Sequence, residues 1–371
     1  MVSTTNPILS ICLPVYNQSQ LVKDCLANIV EYKGNDVEII VNDDNSTEDI
    51  SKIVDSFNDC RIKYFKNKTN IGHDKNILMC FKKCSSDYAF LLRVRDRIVP
   101  DSLPYVISSL NKFENVVFLT GNAVDENGHL RLKYRNIKTG NSLANLKIHS
   151  KISLHPSGAV YSLKYLNLIK EEEFMEKEFD SKFIFLYHHM IRTELADKGN
   201  FVFLTNKPIW QYTDTRHSKD IAVNSSNDKS SVLGSELSRK RFSIEFKWTK
   251  ATTNGKDSMF LYKWLIKRYL FLVTWWYKRN NGDQQMRKHY NYEKKKVDVI
   301  SERRLFKELV FSEIEKIGVS VKEKKSLFAS LKINMVKNLT IDALKYYIAS
   351  LLRKSFVYSL YKKIMVHRGK A

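Results

Sequence analysis

No stretch of this 371-residue chain is apolar for long enough to cross a bilayer. The one candidate, "FLYKWLIKRYLFLVTWWYKR" (260–279), has an uninterrupted apolar core of nine residues, Tyr269 to Tyr277, where a helical span needs about twenty. Cysteine is scarce and confined to the front: all five (Cys12, Cys25, Cys60, Cys80, Cys84) fall within the first 84 residues, form no CxxC pair and are odd in number. With no signal peptide ahead of them they read as reduced thiols, which excludes a disulfide framework. Cys80 and Cys84 share a helix face without histidine or acidic company, so burial as small hydrophobes is expected, not a zinc site. Internal repeats and low-complexity tracts are absent. Acidic residues run short in the last third: residues 231–371 carry 32 Lys+Arg against 12 Asp+Glu, whereas residues 1–230 carry 30 against 28. The net charge of +22 therefore belongs almost wholly to the back of the chain. A near-neutral globular front precedes a basic module that seeks an anionic partner.

What is present begins with strand–helix alternation. "ILSICLPVYN" (8–17), "DVEIIVNDDNS" (36–46), "RIKYFKN" (61–67) and "YAFLLRV" (88–94) read as strands. Between them, "SQLVKDCLANIVEY" (19–32, capped by Ser19), "STEDISKIVDSF" (46–57) and "HDKNILMCFKKC" (73–84) read as helices. Near-continuous apolar strands imply a mostly parallel sheet covered on both faces. Ligands then bind at the carboxyl ends of the strands, which points to Pro14–Asn17, Asp43–Asp44, Asn70–Lys75 and Arg93–Arg97. Further on, "NVVFLTGNAVDENGHL" (115–130) is a strand, a loop and an Asn-Gly turn. "KISLHPSGAVYS" (151–162) is an interrupted strand, residues 179–198 a helix ending at Gly199, and "NFVFLT" (200–205) a strand. Residues 216–235 lie in a polar, serine-rich linker, and residues 236–371 read as helical. In that last region cations alternate with aromatics at 260–279 and again at 344–370, a recipe for helices lying in a membrane interface. The alternative is a helical subdomain whose apolar faces pack on each other. No nucleic-acid docking motif accompanies the charge, so nucleic acid is not an expected partner.

The segments "LSICLPVYNQSQLVKDCLANIV", "VEIIVNDDNSTEDI", "NIGHDKN" and "YAFLLRVRDRIVPDSL" together resemble the nucleotide-diphospho-sugar half of family-2 glycosyltransferases. The resemblance is to the branch that builds bacterial surface polysaccharides, abequosyltransferase-like proteins included. It holds in register over residues 8–130 and more loosely to 215. It implies an α/β fold of the GT-A type over residues 1–215, followed by the linker and an all-helical basic extension. It further implies an inverting transfer from a nucleotide-diphospho-sugar to a lipid-linked glycan, in O-antigen or capsule assembly, on the cytoplasmic face of a bacterial inner membrane. The basic helices would meet the anionic membrane surface.

Each matched segment has a physical task. Pro14, Val15, Tyr16 and Asn17 would wall the base. Asp43 and Asp44 would accept hydrogen bonds from base or ribose. Asn70, Gly72 and Lys75 would offer backbone N–H groups and one cation to phosphate. Relatives carry an acidic D-x-D after the fourth strand, whose carboxylate holds Mg²⁺ or Mn²⁺ on the diphosphate. Here those positions are Arg93, Val94 and Arg95, with only Asp96 left. No metal is therefore expected, unless Asp96 alone suffices to hold magnesium or manganese. Strand alternation would put Arg93 and Arg95 on one face and Val94 on the other. Arg95, helped by Arg93 or Arg97, would then grip the diphosphate with bidentate hydrogen bonds. The competing expectation is a catalytically inactive subunit or scaffold of a polysaccharide assembly complex. Single displacement needs a general base. The resemblance puts it at Asp180, with Glu178 next, whereas His188 and His189 look like mid-helix side chains. His155 and Gly158, within "HPSG", and Trp210 would line the acceptor site, with Tyr212 near. Arg216 and His217 are expected near phosphate.

Overall fold

The computed structural model describes residues 6–132, 139–150, 155–179, 184, 186–213, 235–282 and 299–335. Strands and helices alternate from the start: β1 (Leu9–Val15), α1 (Ser19–Val30), β2 (Val37–Asp43), α2 (Ile50–Asp55), β3 (Ile62–Lys66), α3 (His73–Lys83) and β4 (Tyr88–Leu91). The middle runs β5 (Arg97–Ile98), α4 (Ser102–Lys112), β6 (Val116–Gly121), β7 (Ala123–Val124), β8 (Leu130–Leu132), α5 (Ser142–His149), β9 (Ala159–Ser162), α6 (Leu168–Glu178), α7 (Tyr187–Leu195), β10 (Asn200–Leu204) and β11 (Trp210–Gln211). Helices α8 (Ser235–Thr252), α9 (Gly255–Gly282) and α10 (Val299–Lys316) follow, and residues 321–335 are helical.

Seven strands form one sheet in the order β10-β6-β9-β4-β1-β2-β3, parallel except for β9. A small sheet, β5-β11-β7-β8, sits beside it. Every residue of β2 is buried, as continuous apolar character requires of a strand covered twice. Side-chain alternation divides the core. Ile11, Leu13, Ile39 and Val41 pack beneath α1 and α4, while Cys12 and Ile40 face Ile77, Phe81 and Met190 on α3 and α7. In the β1–β2 register Val15 lies beside Asp43, and Asp44 N donates to Val15 O at 2.8 Å. The ends of both strands therefore open at one level.

The structure departs from expectation at several boundaries. Helix α2 starts at Ile50, capped by Asp49, because Asp43 holds Ser46 in the turn before it. The N-cap of α1 is Gln18, and Glu48 accepts from the Gln18 and Ser19 backbone N–H groups at 3.1 and 2.6 Å. β4 stops at Leu91, so Arg93–Arg95 lie in a turn and not on an alternating strand. The helix expected over 179–198 is two elements: α6 ends at Glu178 and α7 starts at Tyr187. Cys12, Cys25 and Cys80 are buried, as small hydrophobes are, whereas Cys60 is exposed.

The basic helices do not stand apart. Ile244, Trp248 and Leu261 join the core that α3 and α7 make against the sheet, and Trp248 Nε1 donates to Met190 O at 3.1 Å. Phe242 and Phe246 of α8 pack with Tyr262, Ile266 and Tyr269 of α9 and with Phe306, Val310 and Ile314 of α10. The apolar face expected to lie in a membrane is thus covered from within over 261–270, the helical-subdomain alternative. No helix among the described residues is long and apolar enough to cross a membrane. The 344–370 segment and the linker core lie outside the described residues.

Candidate active site

A cleft of about 570 Å³ opens at the carboxyl ends of β1 and β2. One wall is Pro14, Val15 and the half-exposed Tyr16, held in place because Asn76 donates to Val15 O and Asn42 O at 3.2 and 3.1 Å. Asp44, Asn70 and Gly72 adjoin it. Asp44 is buried and organises the loop ahead of α3: Oδ1 accepts from Asn67 Nδ2 and Ile71 N at 2.9 and 2.8 Å, and Oδ2 from Gly72 N at 2.8 Å. Of roughly four lone-pair sites on a carboxylate these bonds use three, which leaves one for a donor in the cleft.

Three expected base or phosphate contacts do other work. Asp43 is wholly buried, accepting from Ser46 N and from Tyr64 Oη at 2.7 Å. Asn17 Oδ1 accepts from Thr47 N at 2.9 Å and pins the turn between β1 and α1. Lys75 faces a separate hollow with Glu172 and Glu176, because α3 turns it away from the cleft.

The β4 end supplies the opposite charge. Arg93, Val94 and Arg95 all line the cleft, so Val94 is not on a far face as alternation implied. Arg97 is directed elsewhere: it donates to Val94 O and Asp96 O and faces Asp24 across 3.7 Å. Beneath Arg93 lies Asp96, 0% exposed. Asp96 Oδ2 accepts from Ser157 Oγ at 2.5 Å and Arg93 Nε at 3.1 Å, and Oδ1 from Thr213 N at 3.2 Å. His155 takes a hydrogen bond from Arg93 and stacks on Trp210, with ring centroids 4.7 Å apart. Burial, then the charges of Arg93, Arg95 and His188, push the His155 pKa down to about 2, so it stays a neutral acceptor.

These residues do not fit a divalent cation. Asp96 is sealed under the turn and is not among the residues that line the cleft, and the positions above it are guanidinium groups that repel a metal. Among the described residues no cluster of His, Cys, Asp or Glu is arranged to hold an ion.

The acceptor-side expectations divide. Pro156 lines the cleft. Trp210 is 1% exposed, buried under His155. Gly158 lies beneath Trp210 with φ +78°, where a Cβ would fall 2.1 Å from the indole. Both build the platform beneath His155 and are not among the residues that line the cleft. Tyr212 packs edge-on against His155. Glu178 ends α6 in an ion pair with Lys247, outside the cleft. Asp180, Arg216 and His217 lie outside the described residues.

Sequence reading missed the far wall. His188 and His189 occupy the first turn of α7, not its middle, and both line the cleft. Asp74 orients that turn: wholly buried, it accepts from Leu186 N and Tyr187 N at 2.8 Å each. Burial raises its pKa, but the hydrogen bond and charge of His73, the Tyr187 N–H and His188 together hold it below the usual carboxylate value. Helices α8 and α9 add Ser238, Arg241, Arg268, Tyr269 and Leu272. The available signal was the basic, aromatic composition of these helices, but nothing in their spacing says which cation turns inward.

Residues 10–169 match the family model described as Glycosyl transferase family 2. Abequosyltransferase RfbV of Salmonella typhimurium is 29% identical over 101 residues, 26% of this chain and 30% of that protein. GalNAc(5)-diNAcBac-PP-undecaprenol beta-1,3-glucosyltransferase of Campylobacter jejuni is 27% identical over 182 residues, 48% and 56% respectively. The chain thus spans from under a third to just over half the length of these curated relatives. The crystal structure of S. aureus TarS 1-349 in complex with UDP-GlcNAc superposes with a TM-score of 0.57 at 14% identity, over 88% of each chain. The mostly parallel sheet and its helical continuation are shared with that fold. Residues 10–169 are therefore a glycosyl transferase family 2 domain, built on the GT-A fold.

Proposed function

We propose that the protein is an inverting glycosyltransferase that moves a sugar from a nucleotide-diphospho-sugar to a lipid-linked oligosaccharide in O-antigen or capsule assembly, without a metal ion. One observation carries this reading: a cleft with a base-sized wall at Pro14–Tyr16 and one open acceptor site on Asp44 has guanidinium groups, Arg93 and Arg95, where a metal-binding acid pair would stand. Fixed guanidinium groups bind phosphate oxygens bidentately and stabilise the charge that develops on the leaving diphosphate. Arg93 is set for that task by Asp96 and His155, and Arg95 stands beside it. Asp44 is the sole carboxylate among the described lining residues and is tied to its own loop. We therefore retain Asp180 as the base that takes the acceptor's hydroxyl proton.

Two features support a lipid-linked acceptor: the printed name of the Campylobacter relative and the excess of 20 positive charges over residues 231–371. Each cation close to an anionic bilayer gains about 1 kcal/mol. A site on the cytoplasmic face of the inner membrane follows, with the basic helices as the contact.

The test is a thermal-shift panel of UDP-, GDP-, CDP- and dTDP-sugars, each with Mn²⁺ and with EDTA, followed by donor turnover under chelation. One nucleotide class should stabilise the chain equally in both conditions and turn over with EDTA present. Strict dependence on Mn²⁺ would refute the metal-free reading. Absence of any nucleotide binding would leave the chain a silent assembly subunit. Co-sedimentation with anionic vesicles, and not with zwitterionic ones, checks the membrane contact.

A further inference from the structure

Arg241 and Arg268 enter the cleft from helices that lie beyond the matched domain. They belong to a different cluster from Arg93 and Arg95. The β4-end pair rests on Asp96, Ser157 and His155. Arg241 is anchored by its Nε to Ile184 O at 2.5 Å, just ahead of α7. Arg268 places its guanidinium carbon 4.9 and 5.3 Å from the ring centroids of Trp264 and Tyr269, and faces Glu245 across 3.5 Å. The leading charges differ too: Arg93 and Arg95 act on His155, Arg192 and Arg268 on His189, and His188 acts on both.

The second cluster contains a buried donor without an acceptor. His189 is 2% exposed and lines the cleft, and Arg268 Nη1 stands 3.5 Å from its Nδ1. Glu245 Oε1 lies farther from Nδ1, at 3.9 Å, than the guanidinium does, and a guanidinium only donates, so the contact assigns Nδ1 as acceptor and the hydrogen to Nε2. That Nε2 has no hydrogen-bond partner among the described residues, an arrangement that costs stability unless a ligand completes it. Two guanidinium groups and one N–H donor converge on a wall that holds no carboxylate of its own facing the cleft. A diphosphate is already matched by the β4-end pair, so this wall has a surplus of positive charge.

We propose that Arg241, Arg268 and His189 form a second anion subsite, which holds a phosphate group of the acceptor while Arg93 and Arg95 hold the donor. This rests on the donor reading above for the first subsite. The chemistry recognised is a phosphate ester or pyrophosphate oxygen. It is carried equally by a prenyl pyrophosphate carrier and by a phosphodiester polymer. By this account the helical extension is part of the substrate site, and the acceptor bears its charge close to the sugar being extended.

The measurement uses the full chain and inorganic pyrophosphate as probe. Pyrophosphate is titrated calorimetrically with and without a saturating nucleoside diphosphate chosen from the panel. Pyrophosphate binding should survive nucleotide saturation. Arg268→Gln or Arg241→Gln should weaken it about tenfold, the loss of one charge-assisted hydrogen bond, while nucleotide affinity stays within about twofold. One-for-one displacement of pyrophosphate by nucleotide in the unaltered protein would overturn the proposal, and needs no variant to fold. Equal loss of nucleotide binding in the glutamine variants would do the same. If no nucleotide binds but pyrophosphate does, and the glutamine variants weaken it, the donor reading fails while this subsite stands. Competition by a short prenyl pyrophosphate against glycerophosphoglycerol then identifies the acceptor class.

Discussion

At the residue scale, Asp96 is read differently in space than along the chain. It follows Arg93 and Arg95 in sequence and is the one carboxylate left in that motif to hold a metal. In the fold its partners Ser157 and Thr213 lie 61 and 117 positions away, and it works as the pedestal of Arg93. Arg95 lines the cleft and is only partly buried, whereas Asp96 is sealed beneath it, so the two substitutions should separate binding from stability. Arg95→Ala is expected to leave the melting temperature near that of the parent and to remove nucleotide stabilisation. Asp96→Ala strips a wholly buried carboxylate from a guanidinium and is expected to cost about 3 kcal/mol of fold stability, seen as a fall in urea midpoint without ligand. A stable Asp96→Ala protein that still binds nucleotide would show that the pedestal is dispensable. Arg93 and Arg95 were legible as cleft residues because the surrounding motif places them after β4, at the carboxyl edge of the sheet, although the strand ends earlier than its apolar run. The work of Asp96, Gly158 and Trp210 was not, since each depends on a contact between distant segments.

At the element scale, α7 carries the far wall and is set by one carboxylate on another helix. Asp74 accepts both Leu186 N and Tyr187 N, satisfying backbone donors that a helix start leaves open. Its folded-state pKa lies below the ordinary 3.8, so the unfolded chain takes up its proton first as pH falls. The stabilisation is therefore fully present above the ordinary value and is lost as pH drops through the depressed folded one. Asp74→Asn should flatten the acid limb of a stability-against-pH curve and lower stability at neutral pH. Chemical denaturation from pH 6 to pH 2 measures both. The strands and helices up to α3 were readable from apolar periodicity, because each buries a face fixed by its own spacing. Their caps were not: Ser19 and Ser46 stand where N-caps would, but each donates its own backbone N–H instead, Ser19 to Glu48 and Ser46 to Asp43.

At the scale of the whole molecule, the helical extension shares a core with the sheet. Trp248, Ile244 and Leu261 cover Met190 and Ile191 on α7, and each such side chain contributes roughly 1.5–3 kcal/mol when buried. A fragment ending at residue 215 should therefore lose its cooperative melt and self-associate, monitored by circular dichroism and size-exclusion chromatography. A monomeric, nucleotide-binding fragment would mean that the extension is a separable module.

The order of strands and helices in the front half, the basic character of the tail and the arginines in place of acids were determined by the sequence itself, because each is a local pattern of spacing or charge. Which cations turn inward, which carboxylates are consumed by loops and which aromatics form a floor were decided only by the tertiary structure. Those outcomes depend on hydrogen bonds and packing between segments far apart in the chain, where burial makes a single unmatched partner costly.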